Sequence, residues 1–134
     1  MRVVLDTNVF VASIGKKSPF RPIFDAFRAG QFTLLISTDI FLEYLEILEK
    51  LTNQDVALNI GRGLEESEFV DAVSVYFSWQ AVQADPDDNK FFDCAMAGNA
   101  DYLVTNDQHF DTLKTADFPK VNIINAQQFI AILK

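Results

Sequence analysis

Cationic residues are scarce in this chain, with 11 Lys and Arg against 19 Asp and Glu and a net charge of −8. That balance argues against nucleic-acid binding through a basic surface, because phosphate contacts rest on clustered Lys and Arg. It leaves chemistry on phosphates open, since acids that hold divalent cations reverse the local sign. A single cysteine, Cys94, excludes an intrachain disulfide, and one histidine leaves no Cys/His cluster of zinc-site spacing. No apolar run reaches the length of a membrane span and no leader pattern precedes Val3, so a soluble, cytoplasmic protein is expected. Repeats, low-complexity tracts and linkers are lacking as well. With 134 residues, 49% of them hydrophobic and 13 of them Phe, the chain reads as one domain, 1–134, with a sizeable core.

What is present is organised around Val3-Val4-Leu5-Asp6-Thr7-Asn8. Three apolar residues followed by a carboxylate and two small polar residues read as a buried parallel strand with a functional group at its C-terminal end. Ligands of open α/β sheets bind at that end of the strands. Asp6 could equally be the N-cap of the helix that follows.

Helices are expected at 9–14 and 23–29, the second opened by Pro22 and stopped by Gly30. A strand at 31–36 ends in Ser37-Thr38-Asp39, good cap chemistry for a helix at 40–51. Phe41, Tyr44, Leu45, Leu48 and Leu51 fall on the inward face of that helix, with Glu43 near its start. Gly61 and Gly63 break the polar stretch 52–63, and 64–76 reads as an amphipathic helix. Segment 77–82 reads as a short strand or extended connection. Asp85-Pro86-Asp87-Asp88-Asn89 is a turn that opens a helix at 90–98, and strands follow at 102–105 and 121–124. Asn125 caps a closing helix. The alternation implies an α/β fold, a three-layer α/β/α sandwich with a mainly parallel central sheet of four to five strands.

Seven Asp crowd into 85–111 against a single Lys at 90. Four acids fall at C-terminal strand ends or in the helix starts beside them: Asp6, Glu43, Asp88 and Asp107. Four carboxylates in one crevice raise one another's pKa unless cations neutralise them. Oxygen donors without Cys or His favour Mg²⁺ or Mn²⁺, and such a site can polarise a phosphoryl oxygen and activate water. Metal-dependent phosphodiester hydrolysis is the reaction class that follows.

The sequence also resembles the PIN-domain ribonucleases along nearly its whole length. The resemblance rests on VVLDTNVFVAS, LLISTDIFLEYLEIL and PDDNKFFDCAMAGNADYLVTNDQHF, in that order. It is nearest to the small prokaryotic PIN proteins described as toxins of toxin–antitoxin pairs. The resemblance implies an acidic metal-binding set at Asp6, Glu43, Asp88 and Asp107, with Asp88 preferred over Asp85 and Asp87. It implies supporting roles for Thr7, Asn8, Ser37 and Thr105, whose side chains would orient the carboxylates. It further implies an RNA substrate, a cognate antitoxin protein and a homodimer.

Two other functions compete with this one. A degenerate domain that binds RNA or a partner without cutting would not need all four acids. A phosphatase using covalent aspartyl chemistry needs a second Asp two residues after the first, where this chain has Asn8. His109 is expected to be a surface loop residue, Cys94 a small core residue and Asp93 a polar helix position. Tyr76 and Trp79 are expected in the core or an interface. In the acidic turn, Asp87 is expected to cap the helix, Asp85 to point away from it, and Asp88 to face Asp6. Lys16, Lys17 and Arg21 form the one basic grouping, read as a solvated loop.

Overall fold

Val3, Val4 and Leu5 are all buried, so both faces of their strand meet the interior and neither can be left to water. The same holds for Leu34, Leu35 and Ile36, and for Leu103 and Val104. Strands apolar on both faces require a parallel sheet covered on both sides. The computed structural model, which describes residues 1–117 and 120–134, has that architecture. Its strands are β1 (Arg2–Leu5), β2 (Thr33–Ile36), β3 (Val70–Ala72), β4 (Tyr102–Val104) and β5 (Ile123–Ile124). They form one sheet in the order β3-β2-β1-β4-β5, every pairing parallel. The helices are α1 (Thr7–Ile14), α2 (Arg21–Arg28), α3 (Thr38–Leu51), α4 (Gln54–Glu66), α5 (Asn89–Ala97) and α6 (Ala126–Leu133). Right-handed crossovers send α1 to α4 over one face as the chain steps from β1 to β3, and α5 over the other as it returns to β4.

The strand order reverses between β1 and β4. A crevice therefore opens where the chain leaves those two strands in opposite directions, at their carboxyl ends. Asp6 follows β1 and Thr105 follows β4, and the Asp6 N–H donates to the Val104 carbonyl at 3.0 Å.

Three expectations need correction. Residues 64–76 are not a helix: α4 runs through Gly61 and Gly63 to Glu66, and the chain then forms β3 on the edge of the sheet. Gly61 marks a close approach between helices rather than a break. A Cβ there would fall 3.0 Å from Leu45, on the facing side of α3. After Ala72 the chain runs without regular structure to the acidic turn. Leu51 is exposed, and Ile40 takes the core place on α3 instead, because the inward face of that helix is set from its N-terminal end.

That setting comes from Tyr44. Its ring stacks on Phe10 with centroids 4.2 Å apart, and its hydroxyl donates to the Leu5 carbonyl. Among the described residues no helix is long and apolar enough to cross a membrane.

Candidate metal centre

Asp6 is only 5% exposed, an unusual position for a carboxylate. Its Oδ1 accepts the Asn8 N–H at 3.3 Å and its Oδ2 accepts the Thr105 hydroxyl at 2.6 Å. Asp6 is thus both the N-cap of α1 and a member of the crevice; the two readings are not exclusive. Burial raises its pKa above the ordinary 3.8, the bonds from Thr105 and Asn8 pull it back, and the charges of Asp107 and Glu43 push it further up.

Thr105 ties the two middle strands together. Its hydroxyl donates to Asp6 and accepts the Asp107 N–H at 3.0 Å, so one buried side chain orients one carboxylate and places the backbone of another. Glu43 is held by two groups. The Thr7 hydroxyl donates to Oε2, and Lys90 Nζ lies 2.8 Å from Oε1 with both side chains largely covered. Lys90 enters from α5, on the other side of the sheet.

The acidic turn places its members differently from expectation. Asp85 caps it, accepting the Asp87 N–H at 3.1 Å, because Pro86 leaves Asp85 extended with its side chain over the turn that begins. Asp87 is exposed. Asp88 stands at the cap position of α5 but makes no cap bond; its Oδ2 lies 2.9 Å from His109 Nδ1. Burial raises the Asp88 pKa, the His109 bond lowers it, and Asp107, Asp6 and Asp85 raise it again. Asp6 therefore feels the charges of Asp107 and Glu43, and Asp88 those of Asp107, Asp6 and Asp85.

His109, expected as a surface loop residue, is only partly exposed and sits among these acids. Its Nδ1 is 2.9 Å from Asp88, 3.1 Å from Asp107 and 3.9 Å from Asp85. Its bond to Asp88 is the main cause of an imidazole pKa raised above 6.5. The six-residue 3₁₀ segment after Asp107, which that carboxylate caps through the His109 N–H at 2.8 Å, brings the ring beside the acids while leaving it partly exposed. Spacing alone carries no signal for this; a histidine two residues past a strand-end acid was the only hint. Among the described residues, Asp85, Asp88 and His109 form the one group of three whose donor atoms all lie within 4.8 Å of one another.

Ser37 and Asn8 are placed elsewhere. The Ser37 hydroxyl accepts the Ile40 N–H at 3.4 Å as the cap of α3, and the Asn8 side chain is exposed. Asp93 is buried rather than a polar surface position, and its carboxylate accepts the Trp79 N–H. Lys16 and Lys17 are exposed at the far end of α1 from Asp6.

Buried and half-buried carboxylates that repel one another are matched by a hard divalent cation, which removes the repulsion. Oxygen donors suit Mg²⁺ or Mn²⁺, and an imidazole beside them suits the second better. Asp6, Glu43, Asp88 and Asp107, with Asp85 and His109 at the rim, have the chemistry to hold such an ion.

A family model described as PIN domain matches residues 2–109. The sequence matches no curated protein. The fold is similar to VapBC2 of Rickettsia felis bound to a promoter DNA fragment, with TM-score 0.64 and 19% identity over 93% of this chain and 98% of that one. It is similar to VapC20 of Mycobacterium tuberculosis, a toxin that cleaves the Sarcin-Ricin loop, with TM-score 0.63 and 11% identity over 82% and 93%. DNA-bound VapBC of Salmonella typhimurium gives TM-score 0.63 and 18% identity over 94% and 98%.

Proposed function

The chain belongs to the PIN domain family, and from that premise we propose that it is a Mg²⁺- or Mn²⁺-dependent endoribonuclease that hydrolyses single-stranded RNA, as the toxin of a toxin–antitoxin pair. The observation that carries the reading is the crevice between β1 and β4. Asp6, buried with both oxygens hydrogen-bonded, has its pKa raised by Asp107 and Glu43, and Asp88 has its own raised by Asp107 and Asp6. A non-catalytic binding module would have no use for so costly an arrangement.

A divalent cation bound there supplies two things, polarisation of a phosphoryl oxygen and a water made acidic enough to attack phosphorus. The chain's own residues do the rest. Thr105 and the Asn8 N–H fix the two oxygens of Asp6, and Thr7 and Lys90 fix those of Glu43. Fixed ligands need no reorganisation when charge develops on the phosphate. Lys90 also keeps one positive charge in a wall of acids, which lessens the repulsion an incoming phosphodiester meets.

The neighbours that carry VapB alongside VapC, or that cleave an RNA loop, support the toxin assignment by analogy of fold. A homodimer belongs to the same reading, with exposed Leu42, Leu51 and Leu58 on α3 and α4 as its apolar surface. Purified protein should cleave single-stranded RNA with Mg²⁺ or Mn²⁺ and stop with EDTA, and Asp6→Asn should be inactive. Cleavage by Asp6→Asn equal to the parent, or cleavage in EDTA, would overturn the reading.

A further inference from the structure

Tyr76 is 94% exposed, and Phe77 beside it 63%. A core role is excluded for both, and rings left in water mark a surface that something covers. Three observations say where Tyr76 stands. It lies on the segment that leaves β3 at the carboxyl edge of the sheet, where the Val73 N–H donates to the Ile36 carbonyl at 2.9 Å. That segment is anchored again shortly afterwards. The Trp79 N–H donates to buried Asp93 at 3.0 Å, and Val82 exchanges two hydrogen bonds with the Asn89 side chain. Tyr76 is thus held between two fixed points, three residues from each. Finally, with Thr38, Asp39, Lys90 and Asp93 it encloses a cleft of about 340 Å³. Lys90 joins that cleft to the metal centre, since its ammonium contacts Glu43.

The charge of the surroundings says what fits. Asp39, Glu43, Asp88 and Asp93 lie on the elements around the cleft, and the exposed Lys16 and Lys17 are at the wrong end of α1. A phosphodiester backbone gains little here except at the cation and at Lys90. The faces of the bases carry no charge, and an aromatic ring binds them whatever the sequence. Only an unpaired base has a free face to offer, because duplex stacking covers it. Thr38, Asp39 and Lys90, which line the cleft, provide donors and acceptors for a base edge. We propose that Tyr76 stacks on an unpaired nucleobase adjacent to the phosphate held at the acids. This rests on the nuclease reading and names how a net-acidic chain holds its strand.

The test uses a short single-stranded RNA carrying 2-aminopurine, titrated with the whole protein in Ca²⁺ buffer. Binding should quench the fluorophore. Tyr76→Leu should bind about tenfold more weakly without the quench, and Tyr76→Phe should keep both. In steady-state cleavage Tyr76→Leu should raise KM with little change in kcat. As an exposed residue, its replacement should leave the melting curve unchanged. A Tyr76→Leu protein that binds and quenches like the parent overturns the proposal while parent cleavage keeps the nuclease reading standing. If Tyr76→Leu instead changes only the sedimentation coefficient, Tyr76 is a protein contact and the proposal is likewise overturned. If the parent neither binds nor cleaves RNA, both readings fall together.

Discussion

The hydroxyl of Tyr44 donates to the main-chain carbonyl of Leu5, and each of these two residues is the sequence neighbour of a proposed cation ligand, Glu43 and Asp6. The bond sets the height of α3 against the end of β1. Tyr44→Phe should leave the stacking on Phe10 but strand a buried carbonyl, at a cost of about 1–3 kcal/mol. Because α3 can then slide, cation affinity should fall by about 10- to 100-fold, as it does when ligand-orienting groups are lost. Calorimetric titration with Mn²⁺ beside a melting curve measures both. Unchanged affinity in a destabilised protein would show that the bond serves the core alone.

Asp6→Asn should make the cation-free protein as stable as the parent or more so at neutral pH. The folded-state pKa of Asp6 lies above 3.8, chiefly through burial. Between 3.8 and that raised value the folded state binds more protons than the unfolded one, so stability falls as pH rises through the window. Above it the burial penalty is fully present, and Asn removes it while retaining the cap to Asn8. Below pH 3.8 the parent is protonated in both states and the advantage of Asn should vanish. Melting temperatures of both proteins from pH 3 to 8 in EDTA decide this; a variant less stable at pH 7 contradicts it.

The parallel sheet and the place of Asp6 at a strand end were legible because an apolar run ended by polar residues can form little else. β1, β2 and β4 all carry that signature. β3 does not: Val70-Asp71-Ala72 is short, lies on an edge, and follows a stretch that also has helical spacing. Gly61 misled for a related reason, since a glycine allowing two helices to touch looks the same in sequence as a glycine ending one. The acids were readable as a set. Of the supports expected from the sequence, Thr7 and Thr105 do hydrogen-bond to Glu43 and Asp6, but two further side chains carried no such signal. Lys90 and His109 reach the crevice from α5 and from the turn after β4, and only the packing of those elements brings them in. Asp93 shows the reverse, a charge that reads as surface yet anchors the Tyr76 segment from inside.

Cys94 should be inert in the folded protein. It is fully buried on α5, and burial pushes its thiol pKa up to about 12, so almost no thiolate exists at pH 8. A thiol reagent should label the native chain at least about a thousandfold more slowly than the guanidinium-unfolded chain, since reaction must await opening of a domain of ordinary stability. Labelling within seconds under native conditions would mean that α5 leaves the sheet readily.

The three aspartates of the acidic turn should separate cleanly. Asp88 makes no cap bond and is burdened by burial and by three neighbouring charges. Asp88→Ala should therefore lower RNA cleavage by orders of magnitude while the melting temperature holds or rises. Asp85 caps the turn, so Asp85→Ala should cost about 1 kcal/mol, or about 4 °C in melting temperature. Asp85→Ser keeps a cap acceptor without the charge and should restore most of that stability. If its cleavage is also restored, the Asp85 carboxylate acts only as a cap; if it stays low, Asp85 contributes charge to the cation as its closeness to Asp88 and His109 allows. Asp87 is exposed, and Asp87→Ala should change neither property. A dead Asp87→Ala protein beside an active Asp88→Ala protein would mean that the carboxylate facing the cation is Asp87, and that the turn closes on its ion in a different register from the one seen here.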